Sequence, residues 1–297
     1  MDNSIKISQL VRKNIRELIP YSSARDEYSG SASVFLDANE NPHNNPMSRY
    51  PDPRQNKVKE IIAAYRDQKV KNLFLGNGSD EGIDLLFRVL CTPGKDNVIT
   101  VDPTYGMYGV CAGIHNVERK SVLLRKDFSL DAEAVLEAVD PLTKMIFICS
   151  PNNPTSNKLN NEAIIRIIDE VNCMVIVDEA YIDFCQDEGM LSLVPEKWNL
   201  AVLQTLSKAW GLAGIRLGMV FAHPELIGYL SNVKYPYNLS TLTLEYAINS
   251  LSEPGSMKLW VNQILSERIS LEERLNSLNF VQEVYPSDAN FLLVRMN

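Results

Sequence analysis

Histidine is scarce in this sequence of 297 residues: His43, His115 and His223 stand far apart and match no metal-ligand spacing, so no metal site is expected. Cysteine is limited to Cys91, Cys111, Cys149, Cys173 and Cys185, an odd count with no CxxC pair. That excludes a disulfide framework and reads as reduced thiols, several of them buried, in a reducing compartment. A basic stripe is missing. Lys and Arg number 29 against 37 Asp and Glu, giving a formal net charge of -8, which argues against a nucleic-acid binder and fits small-molecule ligands. Residues 1–20 carry no long apolar run and read as neither a signal peptide nor a membrane span, so cytoplasmic location is the expectation. Nucleotide motifs are incomplete. No GxxxxGK[ST] occurs, and Gly76-Asn77-Gly78 is followed by Glu81 where GxGxxG needs its last glycine. No internal repeat or low-complexity stretch is present.

Hydrophobic residues make up 45% of the chain, enough for one large core and a smaller second one. Strands are expected at 73–75, 98–101, 121–124, 145–149, 174–177, 201–205 and 218–222. Helices are expected at 55–66, 79–91, 105–114, 132–139, 161–171 and 224–233. Several strands are unbroken apolar runs, as required when helices cover both faces of a sheet. The fold class is therefore α/β, with a mainly parallel seven-stranded sheet and right-handed crossovers. Past residue 239 the pattern changes to helices at 242–251 and 257–278, broken at Glu253-Pro254-Gly255, and strands at 281–285 and 291–295. The expected division is an N-terminal arm with part of a small domain (1–45), a large domain (46–239) and a small α+β domain (240–297). The final strand has no covering helix, so the small domain is expected to be incomplete at Asn297.

Four segments carry chemistry, and each alone has a plainer reading. Gly76-Asn77-Gly78-Ser79-Asp80-Glu81-Gly82 joins a strand to a helix. Its small residues and free helix N–H groups suit a phosphate, or it is an ordinary capped turn. Ser150-Pro151-Asn152-Asn153-Pro154-Thr155 fixes a turn at a strand's carboxyl end, where open α/β sheets bind ligands, or is a turn without one. Asp178 follows the buried run Val175-Ile176-Val177 and needs a cation or ligand partner, unless it only caps a helix. Lys208, within Thr205-Leu206-Ser207-Lys208-Ala209-Trp210-Gly211, sits among small and apolar residues. A desolvated lysine there is a nucleophile towards carbonyls, whereas a solvated one is surface. Ser207 and Arg216 offer a hydroxyl and a bidentate fork to a phosphate.

Taken together, in this order, the four segments resemble fold-type I pyridoxal-phosphate (PLP) enzymes, the aspartate-aminotransferase superfamily. Asn39-Glu40-Asn41-Pro42, Arg49-Tyr50-Pro51, Pro103-Thr104-Tyr105-Gly106-Met107-Tyr108 and Asp178-Glu179-Ala180-Tyr181 narrow this to a resemblance to the histidinol-phosphate aminotransferase family, from about Ile15 to the chain's end. The resemblance implies that Lys208 carries PLP as a Schiff base and later moves the substrate Cα proton. It implies that Asp178 pairs with the pyridine nitrogen, that Asn153 and Tyr181 bond the ring's phenolic oxygen, and that Tyr105 stacks on the ring. Gly78, Ser79, Asp80, Ser207 and Arg216 are then expected around the phosphate. Tyr50 is expected to reach the cofactor of a partner subunit in a homodimer, and Tyr21 to border the substrate. The implied reaction is amino transfer from histidinol phosphate to 2-oxoglutarate in histidine biosynthesis. Threonine-phosphate decarboxylase, aromatic-amino-acid aminotransferase and a non-catalytic PLP-fold binding protein stay open as alternatives. Two departures stand out. Ser156 occupies a position that is usually glycine, and the arginine that the resemblance implies for the substrate's anionic group is expected in a segment past Asn297, since nothing places Arg12 or Arg25 in the pocket.

Overall fold

The sheet is set by residues whose alternate side chains enter two different cores. In the computed structural model, which describes residues 7–21, 34, 36–43, 45, 47–186 and 188–297, strand β4 (Thr143–Cys149) shows the pattern most clearly. Its Ile146 and Ile148 join one buried cluster, while Met145, Phe147 and Cys149 join another on the opposite face. β5 (Met174–Asp178) divides in the same way, with Val175 and Val177 on one side and Met174 and Ile176 on the other. An unbroken apolar run is what a strand covered on both faces requires.

The other strands are β1 (Leu73–Asn77), β2 (Asn97–Asp102), β3 (Glu118–Leu123), β6 (Leu200–Thr205) and β7 (Leu217–Ala222). The seven form one sheet in the order β1-β7-β6-β5-β4-β2-β3. Only β7 runs antiparallel to its neighbours, so the expected mainly parallel seven-stranded α/β sheet is present. β3 starts earlier than its apolar residues indicate, because Glu118-Arg119-Lys120 lie on the half-solvated edge of the sheet, where polar side chains belong.

The helices around the sheet are α1 (Asn56–Tyr65), α2 (Ser79–Leu90), α3 (Met107–Ile114), α4 (Ala132–Ala138), α5 (Asn161–Glu170) and α6 (Pro224–Val233). Side-chain caps start several of them: Asp131 accepts from the Ala134 N–H, and Asn160 from the Ala163 N–H. α3 begins at Met107 rather than Tyr105, because Thr104 and Tyr105 belong to the turn that faces the site. The amino-terminal residues Ile7, Leu10 and Val11 are buried in the same cluster as Leu226 and Ile227 of α6. Arg12 is taken up by the carbonyl of Arg88, and Arg25 lies outside the described residues.

Two further helices, α7 (Thr241–Leu251) and α8 (Pro254–Asn276), lead to the antiparallel pair β8 (Val281–Val284) and β9 (Val294–Met296). Pro254 opens α8 instead of interrupting a helical stretch up to Met257. A proline in the first turn has no N–H that the helix would need. β9 lies later than the expected 291–295, since Ser287 Oγ donates to the Phe291 carbonyl at 2.6 Å and holds that residue in a turn.

Candidate active site

Strands β1, β2, β4, β5 and β6 end at the edge where β7 begins, and the loops there surround an open cavity of about 100 Å³. The expected Gly78, Ser79, Asp80, Tyr105, Asn153, Asp178, Tyr181, Ser207, Lys208 and Arg216 all line it. Cys149, Ala180 and Thr205 line it as well, without having been singled out in the sequence. Two expected residues are elsewhere in this chain. Tyr50 is exposed and stacks on Tyr237 with ring centroids 4.5 Å apart, and Tyr21 is exposed on the arm.

One end of the cavity is a cradle made by close backbone approach. Gly78 begins α2 with φ +77°, and its N–H donates to the Arg216 carbonyl at 2.8 Å. A Cβ on Gly78 would stand 2.6 Å from Arg216 Nη2, so only glycine leaves this space free. Gly218, paired with Gly76 across β1 and β7, is even tighter: a Cβ there would meet the Ser79 nitrogen at 2.1 Å. The α2 N-terminus, Ser207 and the Arg216 guanidinium therefore converge without side-chain obstruction, a geometry that favours an anion. The Asp80 carboxylate accepts from the Tyr105 hydroxyl at 3.1 Å and lies 3.4 Å from Arg216. Thr205 Oγ1 accepts from the Ser207 N–H at 3.1 Å and so fixes the turn that carries Lys208.

At the floor, Asp178 is 3% exposed. The Tyr108 hydroxyl donates to its Oδ2 at 2.7 Å, and the Ala180 N–H to its Oδ1 at 3.0 Å. Burial pushes the carboxyl above its ordinary value, and these two neutral donors oppose that shift. Burial likewise raises the Tyr105 hydroxyl, with the Asp80 charge adding to it, and raises the Cys149 thiol. A buried carboxylate held only by neutral donors is a place for a cationic ligand atom. Lys208 Nζ lies 5.2 Å from the centroid of the Tyr181 ring. Lys208 is exposed and lines the cavity.

The asparagine turn is braced from behind. Asn152 Nδ2 donates to the Pro103 carbonyl at 2.8 Å and Asn152 Oδ1 accepts from Thr104 at 3.0 Å, tying two site loops together. Asn153 is left facing the cavity. Ser156 takes φ +64° in this turn, the left-handed region that favours glycine. The turn survives, with the Ser156 N–H donating to Asn152 O at 2.8 Å.

The family model for class I and II aminotransferases matches residues 27–296. The chain belongs to the class I and II aminotransferase family. Membership makes it a PLP-dependent transaminase. The aminotransferase is 54% identical over 290 residues to the histidinol-phosphate aminotransferase of Parabacteroides distasonis, covering 98% of this chain and 84% of the relative. Among solved structures, it is similar to the histidinol-phosphate aminotransferase of Clostridium acetobutylicum, with TM-score 0.78, 25% identity, and 84% and 75% of the two chains covered. The Sinorhizobium meliloti histidinol-phosphate aminotransferase, solved with pyridoxal 5'-phosphate, shares the fold of the aminotransferase with TM-score 0.78 at 22% identity, over 84% and 68% of the two chains.

Proposed function

We propose that this chain transfers the amino group of histidinol phosphate to 2-oxoglutarate, forming imidazole acetol phosphate and glutamate in histidine biosynthesis. The observation that carries this reading is the gathering of Lys208, buried Asp178 and the glycine-lined cradle in one cavity of a chain 54% identical to a relative named for that substrate. The residues present fit PLP. The cradle suits its phosphate, the carboxylate held only by neutral donors its ring nitrogen, and the Tyr105 ring its face. When bound, the cofactor supplies covalent attachment to the amino donor and an electron sink that makes the donor's Cα proton acidic.

This chain's own residues do the rest. Lys208 Nζ would hold the cofactor and would serve as the base that moves the proton at the donor Cα. Asp178 keeps the ring nitrogen protonated by offering it a fixed negative charge. Asn153 and Tyr181 donate to the ring's phenolic oxygen. Backbone N–H groups at Gly78, Ser79 and Asp80, with the Ser207 hydroxyl and Arg216, hold the phosphate. Tyr50 serves the site of a second copy in a homodimer, in keeping with its place outside its own cavity. Residues 46–239 form the large domain and 240–297 the small one, with 1–45 an arm whose start packs on α6 of the large domain, and the enzyme works in the cytoplasm. Among the described residues no helix is long and apolar enough to cross a membrane.

Steady-state assays with histidinol phosphate and phenylalanine as donors test the substrate, alongside carbon dioxide release from threonine phosphate. Preference for histidinol phosphate is expected. Preference for phenylalanine, or decarboxylation without amino transfer, overturns the reading.

A further inference from the structure

Tyr108 does not line the cavity, yet it controls the group at the cavity floor. It is fully buried in α3 and reaches across 70 positions of sequence to donate to Asp178 Oδ2 at 2.7 Å. Its ring is stacked on Phe147 at 4.7 Å and meets Tyr105 edge-on at 5.7 Å, so the phenol cannot swing away from the carboxylate. A carboxylate only accepts, so in this pair the hydroxyl must donate, and donation favours the charged carboxylate. The other groups acting on Asp178 come from different elements: Asp80 of α2, Lys208 of the loop after β6, and the Ala180 N–H. Cys149 of β4 also lies near the Tyr108 hydroxyl. Of these, Tyr108 and Ala180 bond the carboxylate directly, and they take one oxygen each.

We propose that Tyr108 is a positioning residue for amino transfer, fixing the orientation and charge of Asp178 so that the carboxylate meets the cofactor's ring nitrogen. The same helix-start segment supplies Tyr105 for the ring face. One stretch of five residues, 104–108, thus sets both the ring's plane and its nitrogen partner. This rests on the reading that Asp178 faces that nitrogen, and the test separates the two.

The experiment is a four-protein cycle: the parent, Tyr108→Phe, Asp178→Asn and the double variant. Each is measured for PLP affinity of the apoprotein, the pH midpoint of the bound cofactor's visible band, and kcat and KM. Tyr108→Phe keeps ring volume and stacking, and melting by circular dichroism reports whether it folds. Hydrogen bonds to charged groups are worth about 1.5–3 kcal/mol, or roughly ten- to a hundredfold. The expected result is a fall in kcat of at least about tenfold with KM little changed, a displaced pH midpoint, and almost no added effect of Tyr108→Phe in the Asp178→Asn background. Parental kcat and pH midpoint in Tyr108→Phe, or an equal loss in both backgrounds, overturns the proposal. Parental PLP affinity, pH midpoint and kcat in Asp178→Asn alone instead overturns the role of Asp178.

Discussion

At the scale of single residues, the site places a nucleophile and a carboxylate in very different surroundings. Lys208 is exposed, so its replacement removes little packing. Lys208→Ala is expected to melt like the parent while losing the visible band of lysine-bound cofactor. Borohydride reduction of the parent followed by peptide mapping should find the label on Lys208, and a label on any other lysine contradicts the assignment. Glu179, next to Asp178, is a buried acid turned away from the cofactor cavity. It accepts from Gln204 Nε2 at 3.0 Å and from the Met190 N–H, and burial pushes its carboxyl up to about 7. The folded value thus lies above that of an unfolded glutamate. Stability linked to this group is complete below about pH 4.5 and is lost as pH rises through about 7, by an amount on the order of 3 kcal/mol. Gln204 Oε1 is buried without a partner. In Glu179→Gln, the Gln204 amide can turn over and accept from the new amide, so the contact persists with no charge to bury. Urea denaturation at pH 5.5 and pH 8 is expected to show a stability drop in the parent that is much smaller in Glu179→Gln. Parallel pH dependence in the two proteins excludes Glu179 as its source.

At the scale of elements, the phosphate cradle depends on the contact of β7 with the start of α2. Gly218→Ala puts a methyl group against the Ser79 backbone nitrogen, which has no flexible end to move aside. The strain should cost about 1–3 kcal/mol and widen the cradle. Lower melting together with weaker PLP binding in a fluorescence titration is the expected outcome, and unchanged PLP affinity separates β7 from the cradle. The turn after β4 gives the opposite case. Ser156 holds φ +64°, a conformation costing about 1 kcal/mol for a side chain that glycine would not have to meet. Its Oγ lies 2.6 Å from the Thr155 carbonyl and 3.4 Å from that of Pro286, bonds that return part of the cost. Ser156→Gly should therefore raise the melting temperature slightly, by no more than a few degrees, and a lowered value would mean that these bonds outweigh the strain. These elements differ in how legible they were. β4 and β5 stood out as apolar runs because both of their faces are covered. β3 was half hidden because an edge strand keeps Glu118, Arg119 and Lys120 in solvent. The loop residues of the site were readable as motifs with local order. Tyr108 on Asp178, Gly218 against Ser79 and Gln204 on Glu179 were not, since each joins segments that the sequence separates by 25 or more positions.

At the scale of the whole molecule, the place of Tyr50 is the informative feature. It follows Arg49, whose guanidinium bonds Glu40 Oε2 at 2.6 Å, and its own N–H donates to Glu40 Oε1 at 2.7 Å. The backbone here is thus held while the ring stays half in solvent, stacked on Tyr237. Tyr235, Leu242 and Tyr246, from the same stretch of chain as Tyr237, are also exposed. Exposed aromatic residues suit a protein interface better than a free surface. An isologous dimer carries every such patch twice, so a residue unable to serve its own cavity can serve the other. Mixing Tyr50→Phe protein with Lys208→Ala protein tests this directly. In a heterodimer with crossed sites, the subunit with intact Lys208 receives an intact Tyr50 from its partner, and the second site loses both. After subunit exchange, about half of the molecules are heterodimers with one complete site, so activity should rise well above that of either parent variant. If Tyr50 acts within its own chain, every site that keeps Lys208 lacks Tyr50, and mixing leaves activity at the level of Tyr50→Phe diluted by an inactive protein.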